Sequence, residues 1–154
     1  MVLTALMLTV ALMPVLSLAE EDSGAKRAPA ASSGAAAVPA PQPAAFFVDL
    51  KDGDTVASPL KIKFGVNGLE VAPAGTDKPN TGHFHLLIDT EMTAEELKTT
   101  IPADDKHVHY GKAQTEAEVT LTPGKHTLQI LMGDGNHVPH NPPVMSDKIT
   151  VTVK

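Results

Sequence analysis

Six of the seven histidines in this 154-residue chain fall into three close pairs. His83 and His85 flank Phe84 in Thr81-Gly82-His83-Phe84-His85-Leu86-Leu87-Ile88-Asp89. His107 and His109 repeat the spacing around Val108, and His137 and His140 lie in a Pro-rich loop near the end. Imidazole is a borderline ligand suited to copper, zinc and nickel, and copper(II) binds tightest among the first-row divalent ions. On a strand, His-x-His puts two rings on one face, about 6.5–7 Å apart at the backbone, close enough to chelate one ion if the rings tilt together. A lone pair of this kind is also what ordinary surface histidines produce. Three pairs in a chain without cysteine make a metal site the leading expectation, and the missing thiolates exclude a closed zinc site of the cysteine type.

The candidate ligands are therefore His83, His85, His107, His109, His137 and His140, with copper as the expected ion and zinc or nickel as alternatives. Met132 and Met145 flank the last pair and offer thioether to copper(I), or simply fill the core. Asp134-Gly135-Asn136 has the start of a calcium loop but lacks the remaining acidic ligands of that pattern. No nucleophile–base constellation is legible, since Ser58 and Ser146 sit in turn or strand-start contexts. Hydrolase chemistry is not expected.

Alternation places the elements that must carry these residues. Leu60-Lys61-Ile62-Lys63-Phe64-Gly65-Val66 is a strand with Leu60, Ile62, Phe64 and Val66 turned inward. In the strand at His83, Phe84, Leu86 and Ile88 form the core face, so His83, His85 and Leu87 share the other face and the two imidazoles should look outward. Val108 and Tyr110 likewise leave His107 and His109 exposed. Further strands are read at Phe46–Leu50, Glu116–Leu121, His126–Met132 and Ser146–Val153. His126 runs in phase with Leu128 and Ile130; it is read as facing the core and as fastening the preceding corner through ring hydrogen bonds. Thr93-Ala94-Glu95-Glu96 has capping-box spacing and predicts one or two helical turns to about Lys98. Asn67 to Gly82, with three glycines and two prolines, reads as a long connection that is neither helix nor strand.

Seven short strands in about 110 residues describe an all-β, immunoglobulin-like antiparallel β-sandwich with a long B–C loop and one short helical turn. A cupredoxin-like or jelly-roll sandwich is the alternative. In the immunoglobulin-like arrangement the loops bearing all three histidine pairs fall at one pole, which is what would turn three weak motifs into one site.

The N-terminal third reads differently. Residues 1–19 hold the apolar run Leu3 to Leu18 with Ser17-Leu18-Ala19 before Glu20-Glu21-Asp22, the pattern of a cleaved secretory signal peptide, although the n-region has no Lys or Arg. Residues 20–45 are an Ala/Pro-rich tether without apolar periodicity, expected to be disordered. The domain is expected at 46–154. Export to the periplasm or the medium follows, with no stable membrane insertion after cleavage and, in the absence of cysteine, no disulfide framework. A net charge of −6 and no basic stripe argue against nucleic acid.

The segments Gly65 to Asp89, His107-Val-His-Tyr-Gly-Lys-Ala-Gln-Thr-Glu, Pro123-Gly-Lys-His-Thr-Leu-Gln and Gly133-Asp-Gly-Asn-His-Val-Pro-His together resemble the bacterial family called domain of unknown function 4399. The resemblance covers Phe46 to the C-terminus and implies an exported bacterial protein with these histidine motifs; it supplies no mechanism. His83 and His85 alone also resemble the strand pair of copper-zinc superoxide dismutase. That family's disulfide is absent here, and the chain's single arginine, Arg27, lies in the tether. The functional expectation is an exported metal-binding protein in copper buffering, delivery or resistance, with a periplasmic metal-handling protein as its macromolecular partner. A copper-dependent redox enzyme and a non-metal immunoglobulin-like ligand-binding or adhesion module stand as alternatives.

Overall fold

The computed structural model describes residues 41–154. The segment read as a signal peptide, and all but the end of the tether, lie outside the described residues. Among the described residues nine strands run in the order β1 (Ala44–Phe47), β2 (Thr55–Val56), β3 (Leu60–Asn67), β4 (Glu70–Val71), β5 (Thr81–Ile88), β6 (His107–Tyr110), β7 (Glu116–Val119), β8 (Gly124–Gly133) and β9 (Ile149–Val153), with a 3-10 turn at Glu96–Lys98. The architecture is all-β, in two sheets.

The smaller sheet has the order β1-β3-β7, antiparallel throughout. The larger runs β2-β9-β8-β5-β4, with β6 also on β5. Alternation does the work expected of it in β3: Leu60, Ile62 and Phe64 are buried while Lys61 and Lys63 are exposed. Phe64 meets Phe84 and Tyr110 from the other sheet at ring-centroid distances of 5.2 and 5.0 Å. One apolar cluster therefore joins both sheets, adding Leu86, Leu128, Ile130, Met132 and Val151 from the larger one. Met132 is fully buried in this cluster and fills the core.

Thr93 and Glu96 close the capping box in both directions: the Thr93 amide donates to Glu96 Oε2 at 2.7 Å, and the Glu96 amide to Thr93 Oγ1 at 3.3 Å. The result is a single 3-10 turn. His126 fastens the corner before β8, with Nδ1 2.7 Å from Asp89 Oδ2 and Nε2 2.9 Å from the Thr122 carbonyl oxygen. Its ring is half-buried at the sheet margin, outside the core clusters.

Two expectations are corrected. Residues 67–82 contain a strand, because Glu70–Val71 pairs in parallel with Thr81–Gly82. The glycines and prolines around it make the turns that bring the chain back alongside itself. Second, His83 and His85 do not look outward to solvent: all eight residues of β5 are buried, including both histidines and Leu87. Alternation assigned the face correctly, but that face is covered. Met92 and Ile101 from the β5–β6 connection lie over Leu87 and Leu131 in a second apolar cluster, with Leu97 and Met145 at its edge.

Candidate metal centre

β5 and β6 are antiparallel neighbours, and their register sets His85 directly opposite His109. Directly opposed residues project to the same face of a sheet, so His83, His85 and His109 share one side, the first two buried and His109 exposed at its margin, as the alternation of its strand predicts. β8 flanks β5 on its other edge, with His83 opposite Gly133. The loop leaving β8 then folds back: the His137 amide donates to the Asp134 carbonyl, and the Asp134 carboxylate accepts from the Asn136 and Val138 amides. Asp134 is thus a loop organiser through backbone donors. His137 sits in the left-handed region, φ 66°, and its carbonyl accepts from the Ile101 amide at 2.8 Å.

These contacts bring four imidazoles together: His83, His85, His109 and His137. All six ring pairs are close, with centroid separations of 4.7 to 6.0 Å. Nε2 of His85 lies 3.0 Å from Nε2 of His83, and Nε2 of His137 lies 3.2 Å from Nε2 of His109. Within the four, ligand nitrogens of His83, His109 and His137 all lie within 4.8 Å of one another. Two imidazoles on one ion at bonds of 2.0–2.1 Å place their nitrogens roughly 2.9 Å apart at a right angle and roughly 3.3 Å apart at the tetrahedral angle. Both observed Nε2–Nε2 distances fall in that interval. The donor set fits a borderline transition ion.

The other two candidates stand apart. His107 faces Leu87 across the sheet, one step further along β6, and its Nδ1 is 2.9 Å from Asp104 Oδ1. His140 is half-buried beside Gly82, with Nε2 buried and without a hydrogen-bond partner. Neither ring belongs to the contacting group of four.

The site also depends on two glycines that the histidine spacing did not reveal, Gly111 and Gly133, and a third, Gly82, makes room for His140 beside it. A Cβ on Gly111 would overlap the His109 ring, 2.5 Å from Nε2. One on Gly133 would stand 3.0 Å from His85 Nε2, and one on Gly82 2.9 Å from His140 Nε2. A signal was present for Gly111 and Gly133: each shares a face with the histidines, two residues beyond His109 and directly opposite His83. Space for the rings is made by removing side chains.

Electrostatics favour the neutral form of His83, His85 and His109. Burial, then the neighbouring His109 and His137, lowers the His83 pKa to about 4. Burial and the adjacent His83, His109 and His137 lower that of His85 to about 3. His109 is lowered too, by burial and His137. Neutral imidazole is the form that ligates a metal. Nδ1 of both His83 and His85 is buried with no hydrogen-bond partner. Unpaired buried polar atoms are costly, so the two rings are held at their Nε2 ends alone.

The fold and this site define an all-β domain with a cluster of histidines able to coordinate a metal ion. Residues 62–154, more than half of the chain, match the family model described as Domain of unknown function (DUF4399), and the chain belongs to that family. No curated protein and no solved structure matches it. Among the described residues, no helix is long and apolar enough to cross a membrane.

Proposed function

We propose that this is an exported metal-binding protein that holds copper, with zinc as the competing ion, and serves in buffering, delivery or resistance. The observation that carries the reading is the group of four mutually contacting imidazoles, two pairs of which face Nε2 to Nε2 at 3.0 and 3.2 Å. Each facing pair can share one N–H···N hydrogen bond, but four imidazoles turned toward one another present converging nitrogen lone pairs, the arrangement an ion needs. Export is supported by the apolar leader with its Ser17-Leu18-Ala19 terminus. Periplasmic or secreted localisation and a metal-handling protein as the partner belong to the same proposal. So does immunoglobulin-like topology, supported by the short strands and by the single core shared between two sheets.

The test is an anaerobic titration of the purified chain with copper(I) and, separately, with zinc(II), followed by calorimetry. The expected result is one tight equivalent for the wild type and none for a His83→Ala/His85→Ala variant. Equal weak binding by both proteins sinks the reading. Export is checked separately by sequencing the N-terminus of the protein recovered from the periplasm or medium, expected to begin at Glu20.

A further inference from the structure

The arrangement of the four rings distinguishes between coordination geometries. Four donors at the corners of a square give four short separations and two diagonals about 1.4 times longer; four at the corners of a tetrahedron give six equal ones. With metal–nitrogen bonds of 2.0–2.1 Å, and each ring centroid roughly 1.1 Å behind its nitrogen, a tetrahedron predicts centroids roughly 5.2 Å apart. A square plane predicts roughly 4.5 Å for neighbours and roughly 6.4 Å for diagonals, from the same bond lengths. Five of the six separations here lie between 4.7 and 5.0 Å, and only His85–His137, at 6.0 Å, is long. A square plane needs two long pairs, and the second is missing.

We infer that His85 is a fourth ligand beside His83, His109 and His137, and that the centre is a distorted, closed tetrahedron of imidazoles selective for a d10 ion, zinc(II) or copper(I). This rests on the metal-binding reading and narrows it. His85 falls outside the triad whose nitrogens lie within 4.8 Å of one another, yet its Nε2 is already 3.0 Å from that of His83. A turn of the His85 ring that draws its nitrogen to roughly 3.3 Å from those of the triad completes the tetrahedron. Gly133 leaves His85 the space beside it, and the antiparallel register holds it against His109. His107 is committed to Asp104 and faces Leu87, and His140 stands behind Gly82, so neither competes for the fourth place.

Two consequences follow. Copper(II), which favours tetragonal ligands, is poorly matched, so copper is held in its reduced state. A closed four-ligand centre also lacks the open position that a catalytic metal keeps for water or substrate. The site holds and hands on an ion.

Cobalt(II), zinc(II) and copper(I) are the probes. The purified chain is expected to take up one cobalt(II) and show the intense visible bands of tetrahedral coordination, displaced by one equivalent of zinc(II). Competition with chromogenic zinc(II) and copper(I) chelators then shows which of the two ions is held more tightly. His85→Ala and the bulkier His85→Gln are expected to weaken zinc(II) binding by about tenfold or more and to collapse the cobalt bands, while His107→Ala and His140→Ala leave both intact. Circular dichroism confirms that each variant is folded. Weak octahedral cobalt bands, a tetragonal copper(II) resonance with copper(II) preferred over copper(I), or unchanged binding by both His85 variants overturns the four-imidazole centre while metal binding stands. No uptake of any ion by the wild type overturns the metal-binding reading along with it.

Discussion

At the scale of single residues, the site is made as much by small side chains as by histidines. Gly111 has no φ that demands glycine, so alanine is tolerated by its backbone; the obstacle is the His109 ring. Gly111→Ala is expected to leave the domain folded but to reduce metal affinity about ten- to a hundredfold, the range seen when groups that orient a ligand are disturbed. Parallel metal titration and thermal melting separate the two effects. His126 tests a different part of the molecule. Its hydrogen bond to Asp89, with that to the Thr122 carbonyl, raises its pKa against the opposing pull of burial. A raised folded-state value means that the imidazolium stabilises the fold fully below the unfolded pKa of about 6.5 and loses that contribution as pH climbs through the raised value. Asp89 behaves inversely. Burial pushes its carboxyl up, but hydrogen bonds from His126 and the Thr127 amide outweigh this and hold it low, so its contribution is lost only as pH falls through that lowered value. The gap in thermal midpoint between wild type and His126→Ala should therefore be wide at pH 6 and narrower at pH 9. A gap independent of pH would reject the charged pair.

At the scale of elements, β5 is the strand around which the site forms, because it is packed on both faces. Its Phe84–Leu86–Ile88 face belongs to the core between the sheets, and its His83–His85–Leu87 face to the smaller cluster roofed by Met92 and Ile101. Ile101 has a double role: its side chain is 3 % exposed in that cluster, and its amide holds the His137 carbonyl. Ile101→Ala removes buried methyl groups at a cost of about 2–4 kcal/mol. Denaturant unfolding should show that loss, and metal affinity should fall with it, because the segment that fixes His137 is loosened. Unchanged affinity would mean that Asp134 and the loop's own turns suffice to place the ring.

For the whole molecule, the cluster makes the metal-free domain acid-sensitive well above the pH at which its carboxylates titrate. The His83 and His85 values, lowered to about 4 and about 3, mean that the native state binds fewer protons than the unfolded chain once pH drops below about 6.5. Stability therefore declines as pH falls from about 6.5 towards 4, with His126 alone among the shifted histidines acting in the opposite direction. Melting of the metal-stripped protein between pH 7 and 4.5 is expected to show this decline. A His83→Leu/His85→Leu variant should show a flatter profile. A bound ion should raise the midpoint at pH 7 with increasing metal concentration, since it binds only the folded state.

The local pattern determined a good deal. Alternation in Leu60–Phe64 and in Phe84–Ile88 assigned the core faces, Thr93 and Glu96 marked their turn, and Phe84 required that His83 and His85 share the opposite face. These are properties of two to eight neighbouring residues, and period-two geometry makes them readable from the chain alone. What covers that opposite face was decided only by the tertiary structure. Met92, Ile101 and the His137 loop approach it through connections that have no period, so nothing in their own spacing shows where they land. The same reason explains why six candidate histidines resolved into a contacting four: strand register set His109 against His85 and moved His107 on to Leu87, while a left-handed turn at His137 swung one ring of the last pair inward and left His140 behind Gly82.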